Sequence, residues 1–323
     1  MSKNLHKYEQ IIKRHQVAVS NVLRLVDQPA GPCEVNALAG SQNLREFFAV
    51  LIEGNVDEFN REKERASIIY LASGPLEFHE ECNALGVDAF KGYDWCLAAA
   101  EKTGGIVFPA LPIGPCTDLP RFEGAINFME RDRIRKQVSG AIKLRNRFCG
   151  PSPSIYSSVT LCRALFSELL ENFAQDLKFK LCVFVGTHGP SGDLCRAIVR
   201  ECGGNICGME VMAVGSLDYN LDIIKEYYSE HGVKRISHGG LWETAFNYAM
   251  NPDYFHPEYL DPSKYPQTYG PLTEDFYEGC IRPVLREYRL LTPEFAEKLR
   301  RITIERLAED VLKHYHELEN RSR

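Results

Sequence analysis

SIIYLASGPLEFHEECNALGVDAFKGYDWCLAAAEKT, residues 67–103, is the stretch that determines the fold. Its β-branched opening, Ser67 to Ala72, predicts a buried strand. The apolar spacing from Asp88 to Thr103 predicts a helix. Between them lies a polar segment that begins at Gly74. The stretch therefore predicts a strand, a functional loop and a helix in succession.

The same pattern recurs along the chain. Short apolar runs end in glycine or proline and are followed by helical stretches, as expected of parallel strands that are covered on both faces. An α/β fold with a doubly wound, mostly parallel sheet is the prediction. The further predicted strands are Ile106–Leu111, Leu181–Gly186 and Val211–Gly215, and the further predicted helices are Leu161–Asp176 and Asp193–Glu201.

Segments outside this pattern define the domain prediction. The chain divides into an N-terminal helical extension, residues 1–42, and a single domain, residues 43–323, which carries an insert at about 115–150. The insert is charged and shows no clear strand. The other predicted features are a first helix over 4–27 that is a candidate oligomer arm, a helix over 43–61 broken near Gly54, an aromatic loop over 252–271 and an amphipathic helix over 293–319.

Charge and hydropathy exclude two classes of function. The net charge is -6 and the pI is near 5.9, with both signs interspersed, so no basic face is expected for nucleic acid. The amino terminus, MSKNLHKYEQIIKRHQ, is charged and has no apolar signal-peptide core, and no long apolar run predicts a membrane span. We therefore expect a soluble, cytoplasmic protein.

The eleven cysteines are scattered among apolar segments. Because their number is odd and they are scattered rather than clustered, we predict reduced, buried thiols. Cys202 and Cys207 are separated by four residues, which is too wide for a Cys-x-x-Cys pair. A cysteine metal site is not expected.

The first candidate cluster follows the first strand. Glu77 and His79 stand two residues apart, so on an extended segment both point to the same side, and Asp88 returns at the start of the next helix. Two carboxylates and an imidazole suit Zn²⁺, Mn²⁺ or Fe²⁺. The alternative is a solvated acidic turn of Glu77, Glu80 and Glu81.

Two more clusters follow later predicted strands. His188 comes just after the run Val183–Gly186, at the edge of the sheet where α/β proteins bind ligands. Its glycine-rich surroundings could instead cradle a phosphate, although they lack the Lys-Ser/Thr of a P-loop. His238 precedes paired glycines, and Glu243 falls in the first turn of a predicted helix. The alternative for this last cluster is a helix-terminal carboxylate with a capping histidine.

Together the three clusters resemble the creatininase (creatinine amidohydrolase) superfamily. That family has Glu-x-His with an Asp nine residues later, a strand that ends in Gly-His-Gly, and a His-x-Gly-x-x-Glu-Thr-Ser segment. The resemblance covers roughly residues 43–255. The matching segments here are Glu77-Phe-His79 with Asp88, Thr187-His188-Gly189, and His238-Gly-Gly-Leu-Trp-Glu243-Thr244.

The resemblance implies a three-layer α/β/α fold, a two-ion centre of Zn²⁺, Mn²⁺ or both, with Fe²⁺ as a further candidate, and a homo-oligomer, often a hexamer. By position, one ion would be held by Glu77, Asp88 and His188, and the other by His79, Asp88 and Glu243. Asp88 would bridge the ions, which would activate a water for attack on a carbonyl. His238 would be the catalytic histidine that protonates the leaving group.

The predicted substrate is a small, polar, cyclic compound. Creatinine hydrolases carry a glutamate two residues after the strand-end histidine, whereas this chain has Pro190, so the resemblance favours a substrate other than creatinine. Ser191 and Trp242 are the predicted substrate-binding residues. Three functions stay open: hydrolysis of a carbon–nitrogen bond; hydrolysis of a carbon–carbon bond in an inositol-derived cyclic diketone such as 3-dehydro-scyllo-inosose; and a non-catalytic metal-binding scaffold.

Overall fold

A computed structural model of the chain describes residues 56–77, 79, 82–115, 157–233, 236, 239–257 and 287–321. The predicted helix over 4–27, almost all of the insert at 115–150 and the loop from 258 onward lie outside these residues. His238 also lies outside them. The division into an extension and one domain therefore stays a prediction.

A five-stranded sheet lies at the centre of the described chain, with the strand order β2-β1-β3-β5-β4. Strands β2, β1, β3 and β5 run parallel to one another, and β4 pairs antiparallel with β5. The mostly parallel sheet predicted from the apolar runs is confirmed. The strands are β1 (Ile68–Ser73), β2 (Ile106–Val107), β3 (Leu181–Gly186), β4 (Asn205–Ile206) and β5 (Met209–Gly215).

Seven helices in the described ranges accompany the sheet. They are α1 (Val56–Arg65), α2 (Val87–Thr103), α3 (Val159–Gln175), α4 (Gly189–Glu201), α5 (Leu221–Glu230), α6 (Leu241–Met250) and α7 (Pro293–Arg321). A 3-10 turn, Pro252–Tyr254, follows α6. No helix in this part of the chain combines the length and the apolarity that crossing a membrane requires.

Helices cover both faces of the sheet, because successive side chains of each strand point to opposite sides. In β1, Tyr70 packs in a core with α2, α5, α6 and α7, whereas Leu71 packs in a second core with α3 and α4. All six residues of β1 and all six of β3 are buried. This is the three-layer α/β/α arrangement that the sequence predicted.

The predicted elements differ from the observed ones in length. The strand expected over Ile106–Leu111 is regular only at Ile106–Val107, and Leu111 forms an isolated bridge with Ser73. The helix expected from Asp193 begins four residues earlier, at Gly189, because Pro190 falls in its first turn, where a missing N–H costs nothing. The helix expected to end at Arg61 continues to Arg65.

The carboxyl ends of β1, β3 and β5 lie level with one another. Ser73 is in register with Gly186, and Gly186 with Gly215. Parallel strands place all their carboxyl ends at one edge, so the loops that follow β1 and β3 are neighbours in space. The segments that carry the candidate site residues therefore meet at this edge.

Gly74 sets how closely α2 approaches the end of β1. A Cβ at this position would lie 2.7 Å from the carbonyl carbon of Asp88 and 2.8 Å from the amide nitrogen of Ala89. Both contacts are with backbone, which cannot rotate away. Only glycine allows the start of α2 to sit against the strand.

Gly74→Ala is therefore expected to lower the free energy of unfolding by about 1–3 kcal/mol, the usual cost of forcing extra atoms into a packed site. Gly189→Ala is the matched control, since a Cβ there meets nothing within 4 Å. The control should stay within about 0.5 kcal/mol of wild type. Urea unfolding measures both, and equal stabilities for the two variants would contradict the close approach.

Candidate metal centre

Five buried side chains meet at the carboxyl edge of the sheet. The exposed fractions are at most 5% for all of them. Glu77 and His79 come from the loop after β1, Asp88 from the first turn of α2, His188 from the residue before α4, and Glu243 from the first turn of α6. A solvated acidic turn at Glu77 is excluded by this burial.

These side chains form two groups of three that share Asp88. Each group offers ligand atoms that all lie within 4.8 Å of one another. The first group is Glu77, Asp88 and His188, and the second is His79, Asp88 and Glu243. The structure thus brings together the same two trios that the family resemblance implied.

In the first group, His188 Nδ1 lies 2.9 Å from Glu77 Oε2 and 3.2 Å from Asp88 Oδ2. In the second group, His79 Nε2 lies 3.4 Å from Glu243 Oε1 and 3.6 Å from Asp88 Oδ2. The same oxygen of Asp88, Oδ2, therefore faces both imidazoles. This placement is compatible with a carboxylate that bridges two ions through one oxygen.

Backbone carbonyls orient both imidazole rings. His188 Nε2 lies 3.1 Å from the oxygen of Pro115, and His79 Nδ1 lies 3.0 Å from the oxygen of Glu77. Because a carbonyl only accepts, each of these nitrogens must carry the proton. In a neutral ring the other nitrogen is then a lone-pair acceptor, and it faces carboxylate oxygens. At His188, where Nδ1 and Glu77 Oε2 are 2.9 Å apart, two acceptors approach so closely only with a cation between them, either a proton or a metal ion.

The protons are strongly held when no metal is bound. Burial lowers the pKa of His79, but the charges of Glu243, Asp88 and Glu77 outweigh burial and raise it to about 10. Burial likewise lowers the pKa of His188, and its hydrogen bonds and charge interactions with Asp88 and Glu77 raise it to about 9. The donor set attracts positive charge, as a metal site must.

Hydrogen bonds from neighbouring segments fix the ligands. Thr187 Oγ1 donates to the carbonyl oxygen of Asp88 at 2.6 Å, which ties the end of β3 to the start of α2. Gly239, in the left-handed region at φ 64°, donates its N–H to Glu243 Oε2 at 2.7 Å. The other oxygen of Glu243 is thereby turned toward His79.

A buried amide network holds the loop that carries His79. Asn83 Nδ2 donates to the carbonyl oxygen of His79 at 2.8 Å and to Thr244 Oγ1 at 3.0 Å. Asn247 Nδ2 donates to Asn83 Oδ1 at 3.0 Å. The network therefore joins the loop after β1, which carries His79, to α6, which carries Glu243.

Comparison with known proteins identifies the architecture. No model of a protein family matches the sequence, and no curated protein matches it significantly. Solved structures do match. A crystal structure of creatinine amidohydrolase (creatininase) is 17% identical, with a TM-score of 0.58, over 82% of this chain and 97% of that one.

The chain has a creatininase-like fold. A manganese form of creatininase gives a TM-score of 0.54 at 17% identity, over 82% of this chain and 98% of that one. A creatininase mutant of the Zn-Zn type gives 0.56 at 15% identity, over 82% and 97%. The fold expected from the resemblance is confirmed.

The remaining predicted site residues are Ser191, Trp242 and His238, and the structure describes the first two. Ser191 is fully buried in the first turn of α4, and Trp242 is buried in α6 and packs in the core. Substrate contact by either residue stays a prediction. The catalytic role of His238 does as well, since that residue lies outside the described ranges.

Sequence reasoning missed one charged residue of the centre. Lys91 is fully buried, and its Nζ lies 3.3 Å from Asp88 Oδ1 and 3.2 Å from Glu243 Oε1. The available signal was its spacing on α2, three residues after Asp88 and four before Trp95, which places it on the buried face of the helix. A lysine within such a stripe needs a buried anionic partner.

The cysteine prediction is correct in most but not all positions. All seven described cysteines are free, and five are buried. Cys207 is exposed, contrary to the prediction, because it occupies the tight turn between β4 and β5 with Gly208, where φ is 50° and 94° respectively. No cysteine belongs to either candidate metal group.

The metal-free protein is expected to lose stability as the pH rises. Both histidines have a raised pKa, from 6.5 to about 10 for His79 and to about 9 for His188. Their contribution is therefore complete below pH 6.5 and disappears as the pH passes through those raised values. Chemical unfolding of chelator-treated protein measures this loss.

Saturating Zn²⁺ is the control, because bound metal replaces the protons and should remove most of the pH dependence. Stability of the metal-free protein that stays constant across the same range would contradict the charge coupling.

Proposed function

We propose that this protein is a metal-dependent hydrolase with a two-ion centre. The observation that carries the proposal is the orientation of the imidazoles of His79 and His188. Each has one nitrogen bonded to a carbonyl and the other facing carboxylate oxygens around Asp88. Three buried carboxylates in one place need positive charge, and paired divalent ions supply it.

The donor set favours a borderline metal. Each group supplies one imidazole nitrogen and two carboxylates, a combination that suits Zn²⁺, Mn²⁺ or Fe²⁺ better than Ca²⁺ or Mg²⁺. The similar creatininase structures include a manganese form and a Zn-Zn form. We propose Zn²⁺ or Mn²⁺ for this chain, with Fe²⁺ as a third candidate.

Divalent ions at such a centre make water nucleophilic near neutral pH and polarise a carbonyl group. Residues of this chain orient the ligands and supply the proton donor. Asp88 faces both positions with one oxygen, and the Gly239 N–H keeps Glu243 turned toward His79. His238 directly precedes Gly239 in sequence, and we propose that it donates a proton to the leaving group.

The reaction we propose is hydrolysis of a carbon–nitrogen bond in a small cyclic amide other than creatinine. The creatininase-like fold and the N/O donor set support the amidohydrolase class. Pro190, in place of the glutamate of creatinine hydrolases, argues against creatinine itself. Cyclic diketones belong in the same assay panel, since their hydrolysis also begins at a carbonyl.

Metal stoichiometry tests the centre directly. Asp88→Asn should bind no ion, because it removes the negative charge that both sites share, whereas Glu77→Gln and Glu243→Gln should each retain one of two equivalents of Zn²⁺. Asp222→Asn is the matched control, since this exposed carboxylate pairs with Arg306 away from the centre. Full retention of two equivalents by Asp88→Asn at wild-type affinity would refute the assignment.

Turnover separates an enzyme from a scaffold. His238→Ala should retain its metal and lose about 10²–10⁴-fold in kcat on whichever cyclic amide the wild type hydrolyses, the usual contribution of a positioned general acid. Metal content and kcat are measured on the same preparation. Absence of turnover by metal-loaded wild type on all cyclic amides and diketones of the panel would favour a non-catalytic metal-binding protein.

A further inference from the structure

A buried ammonium group stands beside the proposed metal centre. Lys91 lies on α2, one turn after Asp88, and none of its side chain is exposed. Its Nζ also lies 4.5 Å from the centre of the Trp242 ring, which favours a cation at that position. The protein thus carries a fixed positive charge where it would also bind metal.

Lys91 is not placed evenly between the two groups. Within the described chain it pairs with Asp88 Oδ1 and with Glu243 Oε1. These are two of the three ligands of the second group, but only the shared ligand of the first. Glu243 Oε1 is the same atom that faces His79.

Lys91 engages the oxygens of Asp88 and of Glu243 in different ways. Asp88 presents Oδ1 to Lys91 and keeps Oδ2 for the two imidazoles. Glu243 has no such division, because Oε1 serves both Lys91 and His79, while Oε2 accepts the N–H of Gly239. An ion held by the second group would therefore compete with the Lys91 ammonium group for that oxygen.

We propose that Lys91 is an internal cation that makes the two metal sites unequal. The site of Glu77, Asp88 and His188 takes the first divalent ion tightly, and the site of His79, Asp88 and Glu243 takes the second ion more weakly. This inference rests on the proposed metal centre and adds to it an order of filling.

The size of the effect follows from the electrostatics of buried charges. A neighbouring charge within about 4–6 Å changes a proton affinity by about one to three pKa units. A divalent cation is repelled by the same field. We therefore expect the second Zn²⁺ to bind at least about tenfold more weakly than the first because of Lys91.

The test is a chelator-competition titration with Zn²⁺ alone, on full-length protein freed of metal beforehand. Wild type should show two binding steps separated by about tenfold or more. Lys91→Met keeps the length of the side chain and removes its charge, so it should strengthen the second step by about tenfold or more and the first step by less. Lys91→Gln, which retains a hydrogen-bond donor, should change the steps in the same direction.

Lys63→Met is the matched control. Lys63 lies on α1, which precedes the amino end of β1, the end opposite the metal centre. Its Nζ donates to the carbonyl oxygen of Leu177. Loss of the Lys63 charge should leave both binding steps unchanged.

Three results would overturn the inference or its basis. Two equal steps in wild type would contradict unequal sites whatever the variants do, so a variant that fails to fold leaves the test intact. A second step that is unchanged or weaker in both Lys91 variants would mean that the lysine does not repel the ion. Absence of any Zn²⁺ binding by wild type would instead refute the metal centre itself.

Discussion

The buried carboxylate of Asp88 is the constraint on which the rest of the centre depends. One of its oxygens faces two imidazoles and the other faces an ammonium group, and its side chain is buried. A carboxylate in such surroundings is stable only when positive charge compensates it. The groups that face Asp88 are the imidazoles of His79 and His188 and the ammonium group of Lys91, and each of them can carry a proton.

The fold places these groups through backbone contacts as well as side chains. Gly74 allows α2 to begin against the end of β1, and Thr187 ties the end of β3 to the carbonyl oxygen of Asp88. Asn83 links the His79 loop to α6. These links are buried, and they attach the ligand-bearing segments to the edge of the sheet. Preorganisation of this kind is what metal-assisted hydrolysis requires.

The candidate ligands were predictable because parallel strands bring polar residues to one edge whenever those residues follow the strands directly. His188 follows the end of β3 and Glu77 follows the end of β1 by a few residues, whereas Asp88 and Glu243 were identifiable from their places in the first turns of helices. Lys91 was not predicted, because helical periodicity tells which face a residue occupies but not which charges it will meet there. Its partner Glu243 is 152 residues away in sequence.

The boundaries of the short strands and of α4 could not be predicted from the sequence pattern either. The strand after Ile106 stops after two residues, and β4 has only two residues, so neither length gives a periodic signal. The early start of α4 depends on Pro190, which terminates helices in their interior but is accommodated in the first turn. Such positions are decided by tertiary packing and by the first-turn backbone.

Anomalous diffraction from crystals grown with Zn²⁺ tests the central claim most directly. The account predicts two anomalous peaks on either side of Asp88, one bounded by Glu77 and His188 and the other by His79 and Glu243, with both metals bound to Asp88. Crystals that show zinc elsewhere on the protein but no peak within bonding distance of Asp88 would contradict it.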